Sequence, residues 1–418
     1  MKTSSQLRVL RNRSFGLLWT AGLISITGTW LLSVALPIFI YKLTDSPAAT
    51  ATAVAVRVGT NLIAAPLAGA YVDRWDRKKV LIYANVLQAI TLLPLLAVDS
   101  RSDLWIAYLV IAAQATFAVF VMPAEHALLP RLVDESDLPA ANGLNALNNN
   151  IARLLGPALG ALVAATLGLT GAVLLDSASF LLAAGLCALI AGAHRAESSA
   201  AESHLLREIG QGALAIRQSV VLQALFAVIA VTAIGEGIMG SLFAVFVVDA
   251  LHGDVPQVGW LMSAQAVGGI IGGFACGYAA RNFSPERLLT VGLFIFGVID
   301  VIIFNYPRWF EAFSPVVVLF VLVGIPSAIM TAAAFTMLQT EVADGLRARV
   351  FSAILVVEAL SSLIGATLAG TLTERFGVIN VLTGQGAAYL LATFAFAWFL
   401  RRRPVAGLAA EPELAVTR

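Results

Sequence analysis

The stretch GAYVDRWDRKK, residues 69–79, decides how this chain is read. It packs Arg74, Arg77, Lys78, Lys79, Asp73 and Asp76 into eleven residues, between apolar runs that carry almost no charge. Working outward, 59% of the 418 residues are hydrophobic and only 12% are charged, with a mean hydropathy of +0.87. Soluble domains are about 25% charged, so this chain lacks about half of the charge that water requires. A bilayer is the solvent that suits it, and spans of about 20 apolar residues are its natural unit. The net charge of +1 gives no support to nucleic-acid binding.

Apolar runs bounded by charge or by Pro and Gly predict twelve membrane helices, near 15–41, 48–72, 78–98, 103–123, 140–167, 170–192, 220–248, 256–280, 286–305, 314–337, 348–373 and 378–400. The longest polar connection, residues 194–219, divides them six and six. Its second part, LLREIGQGALAIRQS, has helical apolar spacing at Leu205, Ile209, Leu214 and Ile216, which predicts an amphipathic helix on the membrane surface. The expected organisation is residues 1–193 as a first half, 194–219 as a linker, 220–402 as a second half and 403–418 as a tail. The basic N-terminus leads into a span without a small-residue cleavage site, so the first span is expected to be retained.

Lys and Arg set the orientation. With the N-terminus inside, 20 of the 26 fall in cytoplasmic segments and four (Lys42, Arg101, Arg308, Arg375) in outer loops, while Arg57 and Arg153 lie within spans. Both termini are therefore expected in the cytoplasm. A shift of 208 lays ALPIFIYKL (35–43) on FAVFVVDAL (243–251) and Gly69 on Gly277; a shift of 209 lays Gly156 on Gly365. Identities are few, but two parallel halves with six spans each fit a transporter built from repeats.

With these residues in place, the loop resembles the signature of the major facilitator superfamily, G-x-x-x-D-R-x-x-R-K, with Gly69, Asp73, Arg74, Arg77 and Lys78 in its key positions. LLPRLVDESDLPAANGLNALNNNIARLLGPALGALV resembles the drug-exporter branch that includes macrolide efflux proteins and the enterobactin exporter. The resemblance implies an all-α membrane protein of twelve helices in two halves related by a pseudo-twofold axis, and a monomer. It also implies that Asp73 faces the start of the eleventh span, near residues 347–351, as a cytoplasmic gate. In the second half Arg281 stands where an aspartate would be, so that gate is one-sided. Gly156, Pro157 and Gly160 are similar to the family's antiporter helix motif, with Ala152 and Ala161 in place of two of its glycines.

Each of these features also has a plainer reading. The loop cations Arg74, Arg77 and Lys78 can simply hold the topology or meet anionic membrane lipids. Charges at membrane depth are costly and mark function by default; Glu236, Glu358, Arg57 and Arg153 are near span centres, with Asp176 and Asp300 nearer the ends. A low-dielectric surrounding favours the neutral form of a carboxyl, so Glu236 and then Glu358 are candidates to carry protons. Permanent ion pairs with an arginine are the structural alternative. Arg57, Arg153, Asn148, Asn149, Trp30, Phe243 and Phe335 are candidates to line a substrate cavity, although consecutive asparagines also serve as glue between helices.

No G-x-x-x-x-G-K-[ST] loop suggests ATP hydrolysis, and the four histidines lack metal spacing. Cys187 and Cys276 lie in apolar runs and read as small core residues. No cofactor and no metal is expected. The favoured function is outward secondary transport of a small amphiphilic molecule, as a proton antiporter. Export of an endogenous metabolite such as a siderophore and uncoupled transport are the alternatives within the class. A membrane enzyme acting on lipids is the alternative outside it, and it lacks a convergent nucleophile or metal set.

Overall fold

A computed structural model of the chain describes residues 8–72, 75–134, 137–192, 216–217, 219–342 and 347–401. The expected linker helix, the tail, and Asp73 with Arg74 lie outside them. Among the described residues there is no strand, and eleven helices are long and apolar enough to cross a membrane. They are α1 (Arg13–Thr44), α2 (Pro47–Val72), α3 (Arg77–Leu92), α4 (Leu104–Leu128), α5 (Leu138–Ala188), α6 (Val220–Val245), α7 (Val255–Ala279), α8 (Pro285–Asn305), α9 (Ser314–Glu341), α10 (Arg347–Phe376) and α11 (Val378–Arg401).

The expected count of twelve differs by one, and the difference lies in α5. The two spans near 140–167 and 170–192 run together there as 51 residues, broken only at Gly168, where φ is 64° and ψ is −164°. That left-handed φ is open to glycine at little cost. At about 1.5 Å per residue the segment is roughly 77 Å long, enough for two crossings of a hydrocarbon core of about 30 Å.

Helix starts are set by local chemistry. The side chains of Asn12, Asp76, Ser219, Asp254 and Ser284 accept hydrogen bonds from the first free N–H groups of α1, α3, α6, α7 and α8, which no carbonyl within the helix can reach. Between these ends the helices are apolar on all faces. Large apolar side chains on the outer surface remain uncovered, with Phe274 81% and Leu391 70% exposed, as lipid-facing residues should be.

The packing repeats. In the first set α1 packs on α5, α2 on α4, and α3 on both α4 and α5. In the second, α6 packs on α10 and α11, α7 on α9, and α8 on both α9 and α11. The two sets meet along a seam made by α5 with α7 and by α2 with α10 and α6. Glycines bring the backbones together: a Cβ on Gly160 would lie against the backbone of Leu31, and one on Gly237 against the carbonyl of Ser362. Gly156 faces Trp30 of α1, and Gly365, its counterpart in the repeat, faces Ile234 of α6. Each thus meets the first helix of its own set.

Candidate functional site

The seam is latched at one end. The Tyr41 hydroxyl at the end of α1 donates to the Asp249 carboxylate, in the π-helical extension of α6. One residue further, Lys42 Nζ donates to Asp254 Oδ1 at 2.6 Å. Thr50 Oγ1 of α2 donates to the carbonyl of Ser241 in α6 at 3.0 Å. A further tie lies deeper, where Ser263 Oγ of α7 donates to the carbonyl of Leu154 in α5 at 2.9 Å. At the opposite end three side-chain contacts lie within the first set. Arg8 pairs with Asp137, Asn12 Nδ2 donates to the Leu132 carbonyl at 2.7 Å, and Lys78 Nζ donates to the Ile190 carbonyl at 2.6 Å.

Between these ends lie the four charges singled out from the sequence. Arg57, Arg153, Glu236 and Glu358 are all exposed although they belong to spans. None forms a salt bridge with a described residue; Arg8–Asp137, Lys42–Asp254 and Arg101–Asp45 do pair within 4 Å. The permanent pairing considered for them is therefore absent among the described residues. Helix geometry places two of them, Arg57 and Glu236, along the contact between α2 and α6. Val54 of α2 is the nearest neighbour of a Cβ built on Gly240 of α6. Arg57 is about one turn below Val54, and Glu236 about one turn below Gly240, on helices that run in opposite directions. The two are thus at similar depth on facing helices. Arg153 precedes Leu154, whose carbonyl ties α5 to α7.

The other candidates divide. Asn148 is fully buried, and its Nδ2 donates to the Trp19 carbonyl at 2.9 Å, joining α5 to α1. Asn149 is exposed and bonds the carbonyl of Asn145 in its own helix. Trp30 is half-buried against Gly156. Phe243 packs on Phe320 with centroids 5.6 Å apart, and the exposed Phe335 stacks on Phe351 at 6.0 Å. In the antiporter-like motif, Gly156 and Gly160 meet α1 while Pro157 offers its carbonyl side to Gly259 of α7. The motif therefore sits where three helices cross.

In the charged loop, Gly69 belongs to the last turn of α2 and Arg77 opens α3 behind its cap Asp76. Lys78 is engaged with a carbonyl just beyond the C-terminal end of α5, where a cation is favoured. Cys187 is buried and Cys276 partly so, and neither is in a disulfide. No cluster of metal-ligating side chains occurs among the described residues.

Sequence reading missed three features. Tyr41 and Asp249 are laid on each other by the 208-residue shift, a signal that was available. Glu125 is half-buried in α4 because that helix runs through Pro123 to Leu128, past the expected end at 123. Gln385 lines a partly open cavity of about 510 Å³ bordered by α6, α10 and α11, and its Oε1 has no hydrogen-bond partner; nothing local in the sequence points to it. That cavity lies within the second set, away from the seam.

Two packed sets of apolar helices, eleven of them long enough to cross a bilayer, define a multi-pass membrane protein. The chain is 23% identical over 370 residues to macrolide efflux protein A of Streptococcus pyogenes, covering 87% of this chain and 90% of that one. It is 26% identical over 389 residues to the multidrug efflux pump Tap of Mycobacterium tuberculosis, covering 88% and 90%. The crystal structure of the nucleoside transporter NupG superposes with a TM-score of 0.74 at 14% identity, over 93% of this chain and 99% of that one. Residues 4–414 match the family described as transmembrane secretion effector. The chain belongs to that family, within the major facilitator superfamily.

Proposed function

We propose that the chain exports a small amphiphilic compound by alternating access, coupled to inward proton movement. The observation that carries this reading is Glu236, an exposed carboxyl in mid-span that no described cation pairs within 4 Å, one turn from the Gly240–Val54 contact between the two sets. A carboxyl so placed can exchange a proton with an aqueous cavity on whichever side is open. Efflux by the relatives Tap and macrolide efflux protein A supports the outward direction.

In this proposal residues 1–193 and 220–402 are the halves that rock against each other, with both termini in the cytoplasm as the Lys and Arg bias indicates. The latch at Tyr41 and Lys42 then closes the outer side and leaves the cavity open to the cytoplasm. Asp73, with Gly69, gates the cytoplasmic side by meeting the start of α10, and Glu358 assists proton transfer.

Reconstituted vesicles test the coupling. An imposed pH gradient should drive accumulation of a lipophilic fluorescent drug, and Glu236→Gln should abolish the driven part while leaving exchange at equal pH. Driven transport that survives Glu236→Gln removes this residue from the role, and a pH gradient without effect removes the proton. Asp73→Asn should slow cycling while the protein still inserts.

A further inference from the structure

The cavity bordered by α6, α10 and α11 has no role in the export reading, and its walls are chemically selective. It lies toward the latched end of the second set, against the middle of α6, the last turn of α10 and the first half of α11. Ile234, Gly235, Phe376, Gly384, Gln385 and Tyr389 are among its walls. Its volume of about 510 Å³ falls within the range of about 300 to 1,000 Å³ usual for small-molecule sites. None of the described residues that line it is charged, so a charged ligand would be buried there without a counter-ion.

Gln385 supplies the free polar group. It is 6% exposed, and its Oε1 has no hydrogen-bond partner. Its Nε2 donates to the Tyr389 hydroxyl at 3.2 Å, and that hydroxyl donates to the Thr232 carbonyl at 3.4 Å. Gly235 makes room for this arrangement, because a Cβ there would overlap the Tyr389 hydroxyl. Asn380, the other amide on the wall, is already engaged: Arg308 donates to its Oδ1, and its Nδ2 donates to the Phe376 carbonyl. An unbonded amide oxygen is costly at membrane depth. The terminal torsion of a glutamine is soft, so either its oxygen or its nitrogen can turn to a ligand. A hydroxyl both donates and accepts, and therefore satisfies either one.

The cavity opens on a face that meets lipid. Gly384 lines it and is also exposed. About two turns further along α11, on the same face, are the exposed Leu391 and Phe394. A Cβ built on Gly384 meets nothing within 4 Å, so the way in is clear. We infer that this cavity binds a neutral, apolar alcohol that enters from the bilayer past Gly384. The hydroxyl bonds the Gln385 amide, and the hydrocarbon body lies against Ile234 and Phe376.

Three photoreactive probes on one frame test this with the full chain in lipid nanodiscs: 4-(hydroxymethyl)benzophenone, 4-methylbenzophenone and 4-benzoylbenzoate. Crosslinked peptides are mapped by mass spectrometry at matched probe concentrations in the membrane. The alcohol should label the cavity segments of α6 and α11 saturably, with half-saturation at least about tenfold below that of the methyl probe. Gln385→Leu should bring those two probes to the same half-saturation, and Gly384→Trp should block labelling by both. Melting temperatures show that each variant folds, and the comparison in the unaltered protein decides without them. Equal half-saturation of the alcohol and the methyl probe there overturns the inference. So does a preference that survives Gln385→Leu, labelling that never saturates, or equal binding of the benzoate. Competition with 1-dodecanol and with dioleoylglycerol separates a small alcohol from a lipid one. Displacement by either supports the site and indicates its source; displacement by neither overturns it.

Discussion

Removal of the Tyr41 hydroxyl should open the latched end of the molecule. Tyr41 is 8% exposed and donates to a carboxylate on the opposite set, and a hydrogen bond to a charged group contributes about 1.5 to 3 kcal/mol. Opening hydrates both partners in either protein, so Tyr41→Phe deletes a contact made only in the closed state. The ratio of closed to open molecules should fall roughly tenfold to a hundredfold. The neighbouring pair is different. Lys42 and Asp254 have side chains 50% and 61% exposed, and such pairs contribute about 0 to 1 kcal/mol, so Lys42→Gln should change the ratio by at most about fivefold. Spin labels on Ser46→Cys and His252→Cys, in a background with Cys276→Ser, report the separation by pulsed electron resonance. A protein closed in about 99% of molecules should drop to about 90% or less with Tyr41→Phe. If Lys42→Gln opens this end as far as Tyr41→Phe does, the ranking by burial is wrong. If Tyr41→Phe leaves the distances unchanged, the latch is not there.

Glycine substitutions should separate by location: Gly237→Ala sets a Cβ against the Ser362 carbonyl and should cost about 1 to 3 kcal/mol, seen as a lower melting temperature in detergent. Gly143→Ala meets open space in α5 and should be neutral or stabilising. Lys78→Met removes the donor to the Ile190 carbonyl and should lower stability by about 1.5 to 3 kcal/mol without altering insertion; an unchanged melting curve would return Lys78 to topology alone. The Lys42 ammonium, then the Val255 N–H, holds the Asp254 carboxyl below its usual range. A depressed carboxylate contributes its stabilisation above the ordinary value of about 3.9 and loses it as pH falls through the lower folded value. Acid that falls past the lowered folded value, beneath about 3.9, should therefore free Lys42, as read by the same spin labels, and Asp254→Asn should erase that response.

Much of this was legible because membrane chains have a small alphabet of structures. Apolar length located the helices, and Arg57, Arg153, Glu236 and Glu358 stood out because charge is rare where they lie. What the residues touch was less legible. Lys42 reads locally as a stray outer-loop cation, since its partner Asp254 is 212 positions away. Glu125 escaped because the apolar run ends near Pro123, whereas the helix continues through it; a proline inside a span is tolerated when neighbours take up the freed carbonyl. Asn148 shows the opposite case. A buried amide inside a span needs a partner, and the one it has is the backbone of the helix that packs most extensively on its own.

The Tyr41–Asp249 bond has a consequence for the architecture itself. Positions that the repeat lays on each other can meet only where the two sets meet about their shared axis. In a pair of identical subunits such a position faces its own copy, so a tyrosine would meet a tyrosine, or an aspartate an aspartate. A donor against an acceptor is available there only to halves that share one chain and can diverge residue by residue. Polarity across the seam is what the molecule gains by being a single polypeptide, and restoring symmetry at position 41 or 249 would return two like groups to one axis.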